Sequence, residues 1–491
     1  MRHGLMACTF VGSLMGNTAL AAGPAESSGT AGSGQGTVSA SLKRLEDVVD
    51  QQQARIEALR HQIELRQTAS PDAARVEGIK RVVRELISDA QFREGLYPRH
   101  AHVGYDEGLY IKSSDEAFLL NITGMMQVRW TGLNRQTDNR RLPGRNRQDD
   151  INGFEIQWLV LSFDGHIHDP RLTYLIQVIG DTDQGNSWET YYASMSYEFA
   201  EELVVSAGIL DLPQGFNNLV ADNRQLFVDR ALAEEVFNVG FTPGVTVGGL
   251  LFGRLEYAAG AFNRSAQACE RLYCEQLDTN FAYAGSLVYH VLGDGVGDDE
   301  TDLVYSKDPR WDVGTSFAYN DNNSDRGVSS LYAIPDRIRR GQGIGGYGQA
   351  DLAGTDLLQF GAHTAFRYRG FSFTTEWYLR TIDGDDERSD WERLTGRSDS
   401  MHFQGGYVEA GYFIVPKEVE VAARLGGVWD VSGDNTWEYT FGVNYYPYQS
   451  HDLKIQADYT RIEEAPITTE YGNWFQNDDI DMFRVSLQAA F

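Results

Sequence analysis

Four scarcities narrow what this chain can be. Proline is rare, 12 in 491 residues, and because proline removes a donor from a strand ladder, its rarity leaves room for many paired strands. Basic residues are short as well: Lys and Arg total 42 against 70 Asp and Glu, a formal charge of −28. That balance excludes a general nucleic-acid binder, whose footprint would be basic. Past residue 22 no apolar run approaches the roughly 18 residues that a spanning helix needs, so any membrane crossing is made by strands. Cysteine occurs three times. Cys8 has too little apolar sequence before it for a lipoprotein box, which leaves Cys269 and Cys274, an even pair expected to close a small loop as a disulfide. The rival reading, a metal site, lacks a histidine or a second cysteine pair nearby.

What is abundant points the same way. Glycine (51), tyrosine (25) and phenylalanine (24) suit a protein of many strands. The first residues read as an export signal: Arg2 opens it, residues 4–16 are mostly apolar, and Ala19-Leu20-Ala21 supplies the small-x-small cleavage pattern, so the signal covers 1–21 and Ala22 begins the mature chain. Residues 22–41 are a flexible linker by composition. Then Leu42, Leu45, Val49, Gln52, Ile56, Leu59 and Ile63 alternate spacings of three and four, which predicts a coiled coil over 42–65 with its charges off the seam. Residues 66–105 are expected to be a helical or linker segment.

From residue 106 the period switches to two. In FRVSLQAAF at 483–491, Phe483, Val485, Leu487, Ala489 and Phe491 face one way and Arg484, Ser486 and Gln488 the other. Such alternation fits a barrel wall between lipid and water, and equally a soluble antiparallel sheet. The connections discriminate better. Sixteen candidate strands fall between 117 and 491. Their joints are tight at one end (168–171, 199–202, 251–254, 369–370, 415–418) and long and polar at the other (132–152, 211–240, 263–279, 320–356, 382–402, 462–480), the asymmetry of an outer-membrane barrel. Two joints fit less well: 292–310 is long where a turn is expected, and 182–187 is short for a loop. The terminal Phe491 resembles the signal read by the outer-membrane barrel assembly machinery.

Four segments carry a family resemblance: GYDEGLYIK at 104–112, FLLNITGMMQVR at 118–129, GILDLPQG at 208–215 and RQLFVDRAL at 224–232. In their order and spacing the chain resembles the phosphate-selective porin O/P family over roughly 104–491. The resemblance implies an all-β, transmembrane antiparallel barrel of sixteen strands over 106–491, a homotrimer, and a third loop (211–240 here) folded inward to narrow the pore. It implies a channel for passive diffusion of small hydrophilic solutes, anions such as phosphate among them. One departure bears on phosphate: Asp211 stands where the family carries a lysine.

Within that frame Arg224, Arg230, Asp222, Asp229 and Arg129 are the candidates for the constriction. Leu219, Leu226, Phe227 and Val228 would pack the loop on the inner wall. The polar strand faces mix signs, Arg129, Arg380, Arg424, Lys454 and Arg484 against Glu376, Glu420 and Asp458, and so do not settle selectivity. Arg140, Arg141, Arg339 and Arg340 belong to arginine-rich long loops, where they would draw anions to the mouth, grip lipopolysaccharide phosphates beside the lipid, or stand solvated. No nucleophile-elbow, zinc-protease or phosphate-loop pattern occurs, and His166 with His168 lacks a third ligand. No enzyme, metal or cofactor is therefore expected. The alternative is an envelope adhesin or tether with a loop-plugged barrel, which bilayer conductance would separate from a channel.

Overall fold

The computed structural model describes residues 101–136 (107 excepted), 150–180, 188–263, 280–322, 355–384, 400–430, 435–465 and 479–491. The expected export signal, linker and coiled coil lie outside these residues, as do Cys269, Cys274, Arg140, Arg141, Arg339 and Arg340.

Two short strands, β1 (His102–Tyr105) and β2 (Leu109–Lys112), precede the long β3 (Phe118–Gln136) and β4 (Asp150–Ile167). Next come β5 (Asp169–Gly180), β6 (Trp188–Ala200), β7 (Leu203–Asp211), β8 (Phe241–Leu251), β9 (Leu255–Phe262) and β10 (Ala282–Leu292). The wall continues through β11 (Arg310–Asn322), β12 (Thr355–Tyr368), β13 (Phe371–Gly384) and β14 (Met401–Val415). It ends with β15 (Val419–Asp430), β16 (Asn435–Tyr445), β17 (Leu453–Glu463) and β18 (Asp479–Ala490). Each strand from β3 onward pairs antiparallel with the next, and β18 returns to pair with β3 from Asp479 opposite Gln136 to Ala490 opposite Met125. Sixteen strands thus close a barrel with no free edge, which lets every ladder group find a partner inside a membrane.

The hairpin β1–β2 is additional to the sixteen. It extends β3 at Leu119–Ile122, N-terminal to the stretch used by β18. It also corrects the expectation of helix or linker up to residue 105. The Asp106 N–H donates to the Gly108 carbonyl at 2.9 Å, and this turn folds His102–Tyr105 back on Leu109–Lys112.

The two wall faces separate as the alternation predicts. Along β17, Lys454, Gln456, Asp458, Thr460 and Ile462 are buried, while Ile455 and Tyr459 are exposed. Along β18, Arg484, Ser486 and Gln488 are buried and Phe483 and Leu487 exposed. The inside is polar and the outside apolar, the reverse of a soluble core, as lipid outside and water within require. Aromatic side chains collect toward both rims: Trp429 packs between Trp377 (centroids 5.0 Å) and Trp437 (5.3 Å) toward the long-loop end, and exposed Phe199, Tyr412 and Tyr445 stand toward the short-turn end. Amphipathic rings favour such interfacial belts.

Turns at the short end are as tight as the spacing predicts. Arg369 (φ 50°) and Gly370 (φ 78°) join β12 to β13, the left-handed pair that a two-residue hairpin demands. At the end of the chain, Phe491 exchanges both backbone hydrogen bonds with Gly124, at 2.9 and 3.0 Å. Its ring lies 2.6 Å from where a Cβ on Gly124 would sit, so a larger residue there would push the ring off the wall.

Candidate pore constriction

Two segments leave the wall and enter the lumen. Residues 212–240, between β7 and β8, form an inward loop with two short 3-10 turns (Asn217–Leu219 and Asp222–Arg224) and a six-residue helix, α1 (Leu232–Phe237). Residues 293–309, between β10 and β11, form an inward turn from the opposite end. This is the joint whose length contradicted a simple turn.

The loop carries its own apolar anchors. Leu226 and Phe227 pack with Ala422 of the wall, Leu232 with Leu133, Ile462, Ile480 and Met482, and Leu212 and Val239 with Leu210, Phe262 and Ala318. Leu226, Phe227 and Val228 are nearly fully buried, as an apolar run inside an otherwise polar lumen must be.

A loop with little regular structure leaves backbone groups unpaired, and burial makes each one costly. The wall supplies the partners. Its carboxylates accept loop N–H groups: Glu376 from Phe216 (2.6 Å) and Asn217 (3.3 Å), Asp458 from Val228 (3.0 Å), Glu438 from Leu232 (2.9 Å). Its cations and amides donate to loop carbonyls: Arg380 to Val236 (2.9 Å), Lys454 to Asn223 and Gln225 (3.1 and 3.0 Å), Asn444 to Leu226 (2.8 Å), Gln359 to Phe237 (2.7 Å). Arg424 donates to the Asp229 carbonyl (3.2 Å), pairs with Glu409 (3.0 Å) and lies 4.4 Å over the Phe227 ring. The mixed signs that settled nothing in the sequence form, in large part, the seat of this loop.

The inward turn meets the loop. Glu300 accepts from the Leu226 N–H (2.6 Å) and from the Asn217 side-chain amide, and Asp298 pairs with Arg224 at 2.6 Å. On its other side Asp302 accepts from the Gly370 N–H (2.6 Å), the Asp299 carbonyl accepts from Arg367 (2.8 Å), and the Asp299 carboxylate meets His451 at 2.9 Å.

The five constriction candidates all lie at or beside this assembly. Arg129 on β3 pairs with Glu155 (2.5 Å) and with Asp229 (2.8 Å). Arg484 pairs with Asp458 (2.8 Å) and also reaches Asp229. Burial alone would raise the Asp229 carboxyl, but the two guanidinium groups outweigh it and hold it down at about 2. Arg230 turns back on its own loop, donating to the carbonyls of Asn217 and Val220 and to Asp222 (2.9 Å). Asp211, at the family's lysine position, accepts from the Tyr192 hydroxyl at 2.7 Å. Glu155, Glu235, Glu300 and Glu438 were not singled out from the sequence. The overlong joint at 292–310 was the available signal for Glu300; nothing local marks the others.

Among the described residues no group of histidine, cysteine and carboxylate side chains is arranged to hold a metal ion. The family model described as "Phosphate-selective porin O and P" matches residues 130–303 and 347–491, more than half of the chain. No curated protein sequence matches significantly. Solved structures similar to this chain include the anion-selective porin from Comamonas acidovorans (10% identity, 76% of this chain and 99% of that one, TM-score 0.47). Others are the outer membrane channel DcaP of Acinetobacter baumannii (11%, 77% and 99%, 0.46) and the trimer form of OmpT of Vibrio cholerae (9%, 76% and 100%, 0.48). The family match, rather than these likenesses, carries the assignment.

Proposed function

The chain belongs to the phosphate-selective porin O and P family, an outer-membrane porin, and from that premise we propose how its channel is built and what it passes. The barrel is a water-filled path for small hydrophilic solutes, narrowed from one end by the loop 212–240 and from the other by the turn 293–309. The observation that supports this best is the pairing of an apolar exterior with a lumen of ion pairs that grips the inward loop.

In this reading Asp222, Asp229, Arg224, Arg230 and Arg129 stand at the narrowing, Arg140, Arg141, Arg339 and Arg340 at the mouth, and Cys269–Cys274 close an outer loop. The signal at 1–21 directs export, the barrel assembly machinery reads the Phe491 terminus, and the heptads of 42–65 join three copies. Lipid and lipopolysaccharide surround the trimer.

Purified full-length protein in planar bilayers should give discrete, long-lived conductance steps, and unboiled detergent extracts should migrate as an oligomer that collapses on boiling. A barrel that assembles in the outer membrane yet never conducts would overturn the channel.

A further inference from the structure

Resting on the channel reading, we infer that the constriction favours cations, through Asp229, Glu155 and Glu235, while the arginines beside them serve as their counter-charges. Burial makes the case. The wall's basic side chains Arg129, Arg367, Arg380, Arg424, Lys454 and Arg484 are each 6% exposed or less. Of the three carboxylates that neutralise Arg129 and Arg484, two meet water: Asp229 is 31% exposed and Glu155 23%, against 8% and 3% for the side chains of Arg129 and Arg484, while Asp458 is buried with them. A solute passing this point touches the carboxylates first.

The count of charge agrees. Arg129 and Arg484 are held by three carboxylates, Glu155, Asp229 and Asp458, so the cluster keeps a negative excess. Glu235 adds to it, as the one residue of α1 that is not buried. An arginine strips the hydration shell from an anion only when its N–H groups are free to replace that shell. Here they are spent on Asp229, Glu155 and Asp458, and Gln157 adds a further donor to Asp229 at 2.7 Å. Arg230 is committed to loop carbonyls and Asp222, and Arg224, the most open of the lumen arginines discussed, faces Asp298. The inward turn carries Asp298, Asp299, Glu300 and Asp302 against Lys307 alone. Low-dielectric walls strengthen the pull of uncompensated charges compared with the same charges on an outer loop.

The test is the zero-current potential of the full-length protein in planar bilayers under a potassium chloride gradient. The expected result is a potassium permeability above that of chloride. Asp229→Asn with Glu235→Gln should move the ratio toward chloride by about threefold or more. Glu235→Gln alone, at the one exposed position of α1, should move it part of the way and carries the test if the double variant fails to assemble. Arg224→Gln should move the ratio the other way. A chloride-preferring wild type, or a ratio unmoved by Glu235→Gln in conducting trimers, would overturn the inference while leaving the channel standing. Loss of all conductance in the wild type would instead overturn the channel itself.

Discussion

The two sides of the barrel wall solve different problems. From β12 through β18 and on to β3, inward positions carry Arg380, Glu376, Arg424, Glu438, Lys454, Asp458 and Arg484, nearly all paired and buried. On β4 to β8 most buried inward residues are neutral, Ser162, Gln177, Ser194, Ser196, Ser206 and Thr246 among them, with Gln177 bonded to Ser162 at 2.8 Å and Ser196 to Ser206 at 2.7 Å; the charges there are few, Asp164 beside Asn121 (3.0 Å) and Glu155 beside Arg129. Charge stands where a loop backbone has to be held away from water. Hydroxyls suffice where strand partners lie alongside. The difference teaches that most charges in this lumen were placed for architecture, and only the few that reach water act on solutes.

The contrast breaks most visibly at the loop's seat. Removing one member of a buried charge pair leaves the other uncompensated, at a cost of about 3–5 kcal/mol. Arg424→Ala strips Glu409 of its guanidinium, removes the donor to the Asp229 carbonyl and uncovers the Phe227 ring. Its trimers should dissociate at markedly lower temperature on unboiled gels, and surviving channels should be noisy because the loop is loosened. Glu376→Ala, which abandons the Phe216 and Asn217 N–H groups, should behave alike. Quiet channels of unchanged heat stability in both variants would mean that the loop is held by its apolar contacts alone.

How much of this could be read from sequence follows from the same distinction. The alternation along β17 and β18 and the tight turn at Arg369-Gly370 were legible, because each rests on side-chain periodicity or local turn chemistry, and the inward course of 212–240 was legible through the family resemblance and the loop's apolar run. The hairpin β1–β2 was not, since four-residue strands give too few alternations to register. Nor was the purpose of Glu376, Glu438, Arg380 and Lys454, because their partners are backbone N–H and C=O groups about a hundred residues or more away. Every residue carries those groups, so no side-chain pattern announces them. The turn at 293–309 was visible only as an excess of length, and its meeting with Leu226 and Asn217 through Glu300 needed coordinates.

A smaller effect should follow acidity. Although the Glu235 side chain keeps contact with water, the desolvating surroundings of the crowded lumen, then Asp229 and Glu234, push its carboxyl up to about 7 against the opposing pull of Arg230 and Arg129, while Asp229 stays near 2. A raised carboxyl takes up its proton first as pH falls. The potassium preference should therefore decline between about pH 8 and 6 as Glu235 is neutralised, then hold a residual value set by Asp229. In Glu235→Gln that step should shrink. A preference flat from pH 8 to 5 in the wild type would show that Glu235 does not act on passing ions.

The smallest effect is expected on the hydroxyl side, and it sharpens the comparison by being small. Ser206 accepts or donates a single hydrogen bond to Ser196 across the β6–β7 pair. The backbone ladder there runs from Ala193–Ile209 to Ala200–Leu203 and does not depend on either hydroxyl. A neutral hydrogen bond of this kind contributes about 0.5–1.5 kcal/mol, and lumen water can take the vacated place. Ser206→Ala should thus shift the dissociation temperature far less than Arg424→Ala and leave both conductance and the potassium-to-chloride ratio at wild-type values. Matched heat-modification gels and bilayer recordings of the two variants measure this directly. An effect of Ser206→Ala as large as that of Arg424→Ala would show that the hydroxyl side also bears the loop, and the division of the wall into a seat and a bare face would fail.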